Sequence, residues 1–206
     1  MVLFLDGKCA SVTNHEFNAD SMREYLQQEE LITAKITENM DWNKICRYLE
    51  EAQAIVLAAD IYLDSVSSEV LSFLERVEQA VIDGESIGAT FYAILYTELY
   101  EGEQTSIAME VLKNFCLHAN ITWGRGLGIG GNKLEADSGK RSLWKHLEKH
   151  MVDFRLRFLQ EQALFIRERI QGTDVYIHPK DVSRKEYIRK MNRRVKKNNR
   201  VKIAQN

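Results

Sequence analysis

Hydrophobic residues along this chain fall into two alternating rhythms. "VLFLD" from Val2, "AIVLAAD" from Ala54 and "FYAIL" from Phe91 are short, nearly unbroken apolar runs, the mark of strands covered on both faces. "LITAKIT" from Leu31 alternates instead, as a half-exposed edge strand does. Between these runs the spacing shifts to three and four. Met22, Tyr25 and Leu26 share one helical side. Trp42, Ile45, Cys46 and Leu49 predict a helix from about Trp42 to Ala52, and Val70, Leu71, Leu74, Val77, Val81 and Ile82 another from about Ser67 to Ile82. Ile107, Ala108, Val111, Leu112 and Phe115 repeat the pattern, and "ITWGRGLGI" from Ile121 supplies a fifth strand. Strands alternating with helices at these lengths imply a parallel sheet joined by crossover helices. The fold class is therefore doubly wound α/β.

The carboxyl third has a different texture. Lys140 to Gln171 contains neither glycine nor proline, and Leu143, Leu147, Met151, Phe154, Phe158 and Phe165 keep a helical spacing. One continuous helix would approach ~50 Å, longer than a small domain is wide, which predicts a bend or a partner. The single proline, Pro179, ends an extended segment, "DVYIHP". Residues 1–139 thus form the α/β core. Residues 140–206 form C-terminal helices and a tail, packed on the same domain or on a partner subunit.

Composition changes this picture only at the ends. With 206 residues and 45% hydrophobic content, the chain makes one globular domain. The immediate start of a strand leaves no secretory signal, no apolar run reaches the roughly 20 residues of a membrane helix, and three cysteines are an odd count. These features predict a reduced, cytoplasmic protein. The net charge of −2 hides an asymmetry: from Ser183 onward ten lysines and arginines face the single acid Glu186, so the body is acidic. A basic tail can bind nucleic acid. Here Tyr187, Ile188 and Met191 share one helical side, which favours docking on the acidic body of this chain or of a partner's.

Open α/β sheets hold ligands in the loops beyond the carboxyl ends of their strands. The first such loop, Asp6 to Phe17, carries Lys8, Ser11, Thr13 and Asn14, suited to an anion at a helix start and equally to ordinary turns and caps. The loop after Asp60 presents Tyr62, an aromatic that can pack on a planar ring. Thr97 to Gln104 joins a strand end to a helix start and carries Glu98, Tyr100 and Glu101. Three weaker signals have plainer readings. Gly126, Gly128 and Gly131 spell G-x-G-x-x-G, but after the last strand rather than the first, which reads as a strand-end loop. His146 and His150 lie among lysines on a solvated face, with no third metal ligand evident. Cys9 reads as a small residue in a turn.

Ile61, Tyr62, Ser67, Ser68, Phe73 and Arg76, after the third strand, resemble the corresponding segment of the flavodoxin-like NAD(P)H-dependent FMN reductases. Leu99, Tyr100, Glu101, Gly102, Gln104, Ala108, Leu112, Lys113, Phe115 and Cys116, then Trp123, Gly124, Gly126, Gly128, Gly130 and Gly131, resemble a bacterial branch with a Tyr-Glu-Gly loop and a glycine-rich last strand. Pro179, Arg184, Tyr187, Met191, Lys196, Lys197 and Asn198 resemble its closing segment, so the likeness runs from about Cys46 onward. The first loop departs from the family's Gly-Ser-Pro-Arg opening and places Asp6 and Glu16 near the phosphate position. Ala59-Asp60 and Tyr96-Thr97-Glu98 also replace family residues.

The resemblance implies a flavodoxin-like five-stranded sheet of order 2-1-3-4-5 with a C-terminal helical extension, a homodimer, FMN as cofactor and NAD(P)H as co-substrate. It implies cofactor contacts from Lys8, Ser11, Thr13 and Asn14 to the phosphate, and from Asp60, Ile61, Tyr62, Leu63, Thr97, Glu98, Leu99, Tyr100 and Gly102 around the ring. No catalytic side chain and no metal ligand is expected. A flavodoxin-like paralogue that has lost FMN and serves as a binding or regulatory module is the alternative.

Overall fold

Alternation within each strand sorts the core into two layers. The computed structural model describes residues 1–7, 19–26, 29–62, 64–131, 142–180 and 182–193, without the side chains of 19–21 and 142–153. In β1 (Val2–Gly7), Val2 and Phe4 face one side of the sheet and Leu3 and Leu5 the other. The same partition runs through β3 (Ala54–Asp60) and β4 (Thr90–Tyr96), each buried along nearly its whole length. Both faces must therefore be covered by helices. Between them lie α1 (Ala19–Leu26), β2 (Leu31–Lys35), α2 (Trp42–Glu51) and α3 (Ser68–Ile82).

All strand pairs are parallel, in the order β2-β1-β3-β4-β5-β6. The five-stranded expectation is corrected here. Beyond β5 (Thr122–Ile129) a short sixth strand, β6 (Val175–Ile177), pairs through Leu127, Gly128 and Ile129. Its three residues lie within the extended "DVYIHP" segment and carry too little pattern to be read as a strand.

The long C-terminal helix α5 (Ser142–Glu168) is the crossover to that strand. Its 27 residues span about 40 Å, and Leu159, Ala163 and Ile166 are buried against the face formed by Val2, Phe4, Val56 and Ile94. Phe154, Phe158 and Phe165 pack half-buried on the same cluster. From Phe154 onward the apolar stripe is thus used within the chain.

One helical stripe is rotated from the sequence reading, and a second differs from it only at Phe73 and Ile82. Helix α4 (Ser106–His118) buries Ala108, Met109, Leu112, Phe115 and Cys116, leaving Ile107 and Val111 exposed. In α3 the buried set is Val70, Phe73, Leu74 and Val77, and Ile82 is exposed. No helix among the described residues is long and apolar enough to cross a membrane.

Candidate functional site

The carboxyl ends of β1, β3 and β4 meet at one edge, where β1 separates β2 from β3. β1 ends at Gly7, where a Cβ would lie 2.6 Å from Val70 Cγ2, so only glycine lets the strand end press on α3. The loop that follows carries Lys8, Ser11, Thr13 and Asn14 and lies outside the described residues, as do Cys9 and Leu63. A cleft of about 360 Å³ opens beside Gly7, with Tyr62, Ser67, Glu38 and Glu69 in its walls.

The start of α3 is already capped. Ser67 Oγ accepts from the Val70 N–H at 3.4 Å. The Glu69 carboxyl is held below its ordinary range by its own backbone N–H and then by Ser67. An incoming anion at α3 would meet that carboxylate. The other residues of this motif are structural. Phe73 is buried edge-on to Trp42, and the Arg76 guanidinium lies 4.2 Å over the Trp42 ring.

Beyond β3, Tyr62 and Ser65 form an antiparallel bridge. Tyr62 N–H donates to the Ser65 carbonyl at 2.9 Å, and Ser65 N–H donates back at 3.2 Å. Asp64 takes the left-handed conformation, φ 71°, which aspartate tolerates better than most residues. Ile61 and Val66 are buried on either side, and Ile61 N–H donates to the Tyr96 carbonyl. The bridge is therefore anchored at both ends and lifts Tyr62 to 43% exposure. Asp60, below it, is buried.

The loop after β4 is pinned from several sides. Thr97 is buried, its N–H donates to the Ile129 carbonyl, and its hydroxyl accepts from the Leu99 N–H at 3.2 Å. Leu99 is 54% exposed, so its side chain stands free at the edge next to the strand that carries Tyr62. Tyr100 and Gly102 turn the other way. The Tyr100 hydroxyl lies 2.8 Å from the Val182 carbonyl and 3.1 Å from that of Pro179, and its ring packs near His178 and Tyr187. Burial pushes the Tyr100 hydroxyl pKa up, with Glu101 adding to the effect.

Gly102 sits where a Cβ would lie 2.6 Å from the Gly128 carbonyl and 2.7 Å from Ile177 N. The short 3-10 turn Gly102–Thr105 is thereby wedged against β5 and β6. This contact also accounts for the glycine-rich stretch. Gly126 and Gly128 lie inside β5, making room for Met109 and Thr105, so the G-x-G-x-x-G spelling is a packing surface rather than a strand-end loop.

Arg155 went unassigned in the sequence. Buried on α5, it donates at 3.0 Å to the carbonyls of both Gly130 and Gly131. A charged residue on an otherwise apolar helical face was the available signal. Among the described residues there is no cluster of three or more histidine, cysteine or acidic groups able to hold a metal. The side chains of His146 and His150 lie outside the described set.

An exposed aromatic, Tyr62, and an exposed aliphatic side chain, Leu99, thus follow the ends of neighbouring strands and line separate clefts, one beside Gly7 and one beside Ile188 and Met191.

No family model matches the chain, and no curated protein matches it in sequence. Solved structures share the fold. An NADPH-quinone reductase from P. pentosaceus aligns at TM-score 0.58 and 9% identity, over 80% of this chain and 96% of that one. The Trp repressor binding protein from Bacillus subtilis aligns at 0.52 and 13%, over 64% and 85%. A flavodoxin from Streptococcus pneumonia TIGR4 aligns at 0.51 and 11%, over 82% and 100%. At these identities the likeness is one of architecture: the fold is flavodoxin-like.

Proposed function

We propose that this chain binds FMN at the carboxyl edge of its sheet and acts as an NAD(P)H-dependent oxidoreductase of the flavin or quinone reductase type. The observation that carries this reading is exposed Tyr62 in the wall of the Gly7 cleft, with exposed Leu99 in the loop that follows the neighbouring strand. The P. pentosaceus neighbour, named as an NADPH-quinone reductase, lends the same fold that activity. Lys8, Ser11, Thr13 and Asn14 would hold the phosphate. Tyr62 and Leu99 would flank the ring, with Asp60, Ile61, Leu63, Thr97 and Glu98 framing it. Tyr100 and Gly102 would serve by fixing the loop's shape. Asp6 and Glu16 oppose the phosphate, so affinity should be weaker than the fold usually gives.

When bound, FMN supplies hydride acceptance from the nicotinamide and electron transfer onward. The chain's part is to bind, orient and shield, with no protein acid or base required. A homodimer in the cytoplasm belongs to the same reading, and sedimentation of the purified protein checks the assembly. The activity is tested by adding NADPH, then NADH, anaerobically to the FMN-loaded protein. Bleaching of the visible flavin band is expected with at least one of them. A band that persists with both would contradict the reductase reading and favour the cofactor-free module.

A further inference from the structure

The loop that presents Leu99 is held by a segment about 80 residues further along the chain. Tyr187, 3% exposed, lies on the helix over 184–193, here α6, and its hydroxyl donates to the Glu98 carbonyl. The Tyr100 hydroxyl reaches back to the carbonyls of Val182 and Pro179, and the Arg184 guanidinium pairs with Glu101. Val182, Tyr187, Tyr100 and Met191 form their own apolar cluster, so α6 is docked by packing as well as charge. From the opposite side Gly131 N–H donates to the Leu99 carbonyl at 2.6 Å, and Arg155 fixes the Gly130 and Gly131 carbonyls. Glu98, Leu99, Tyr100 and Glu101 are all tethered, and only the Leu99 side chain is left standing out. Between Leu99 and α6 runs a cleft of about 270 Å³, with Ile188 and Met191 in its walls.

We propose that α6 completes the cofactor site. Tyr187 is a positioning residue that fixes the loop in its ligand-ready shape, and Arg184 cancels the charge of Glu101 at an edge that must admit an anionic cofactor. A binding group gains affinity when its shape is set before the ligand arrives, and the Tyr187 bond to Glu98 sets the backbone next to Leu99. The electrostatic part follows from sign. Asp60, Glu98 and Glu101 share this edge, and an uncompensated carboxylate raises the cost of bringing FMN's phosphate near. The two motif segments that resembled the reductases, Tyr100-Glu101-Gly102 and the closing run through Arg184, Tyr187 and Met191, are here two sides of one contact. This inference rests on the FMN reading above.

The test is FMN titration of the full-length chain and three variants, followed by flavin fluorescence at low and high salt. Arg184→Glu should weaken binding roughly three- to fivefold at low salt, the scale of an exposed ion pair. High salt should narrow the difference. Arg184→Glu combined with Glu101→Arg restores the pair in reverse and should return the affinity to that of the parent. Tyr187→Phe keeps the ring in the cluster and loses only the bond to Glu98, so it should bind more weakly while melting close to the parent. Variants that all bind as tightly as the parent, or tighter, would overturn the proposal and leave the FMN reading standing. A loss in Arg184→Glu that ignores salt and is not rescued by Glu101→Arg would overturn it too. A parent that binds no FMN removes both.

Discussion

Asp174 shows how much of the molecule one carboxylate can organise. It accepts from the Gly126 N–H at 2.8 Å and from Trp123 Nε1 at 3.2 Å, and it pairs with Lys113 Nζ at 2.6 Å, its side chain only 9% exposed. Hydrogen bonds to Asp174 and then to Glu110 push the Lys113 ammonium pKa upward. The start of β6 is thereby fixed against β5. Asp174→Ala would leave the Gly126 and Trp123 donors without this acceptor and Lys113 with Glu110, and a loss of about 2 kcal/mol is expected in a denaturant titration. Lys113 was legible as part of a motif, but its partner lies far along the chain and was not. Glu29 offers the pH counterpart. Arg169 grips both of its oxygens, at 3.0 and 2.7 Å, and holds its carboxyl below the ordinary carboxylate range despite some burial. A depressed folded pKa gives stability that is complete above the unfolded value and lost as pH falls through the folded one. The parent should therefore be more stable than Glu29→Gln at pH 7, by about 1 kcal/mol. Thermal melts should show that advantage shrinking below about pH 4.5.

At the scale of elements, strands covered on both faces were the most legible feature, because an apolar run of five to seven residues admits few other readings. Helix phase was less so. Ile107 and Val111 fit an apolar stripe as well as Met109 and Cys116 do, and the choice is made by tertiary contact. Met109 fills the space that Gly126 leaves on β5, which turns Ile107 outward. The long helix α5 reads as too long for one domain until β6 supplies the strand it crosses to. Its carboxyl end is held by fully buried Tyr92, whose hydroxyl lies 2.8 Å from the Phe165 carbonyl and 3.1 Å from that of Ile170. Tyr92→Phe should cost about 1 kcal/mol in thermal or denaturant unfolding, since it leaves those carbonyls short of a donor. Burial pushes the Tyr92 pKa up to about 12, from an ordinary 10. A raised folded pKa means stability that is whole below the ordinary value and lost as pH rises toward about 12. Tyrosinate absorbance should accordingly report at least one hydroxyl titrating only as the protein unfolds.

For the molecule as a whole, the sequence carried the doubly wound class and the edge where ligand loops gather, because both follow from strand order and crossover geometry. It could not carry the orientation of Tyr100, since that depends on a helix docked from the far end of the chain. Arg184, at the start of the basic run, pairs with Glu101 of the body. Whether FMN binds with Tyr62 and Leu99 flanking its ring, as proposed, is decided by titrating FMN into the apoprotein while following flavin fluorescence. Saturable quenching is expected, and it should weaken in Tyr62→Ala and, separately, in Lys8→Ala. No change at concentrations well into the hundreds of micromolar, roughly −5 kcal/mol or weaker, would contradict it.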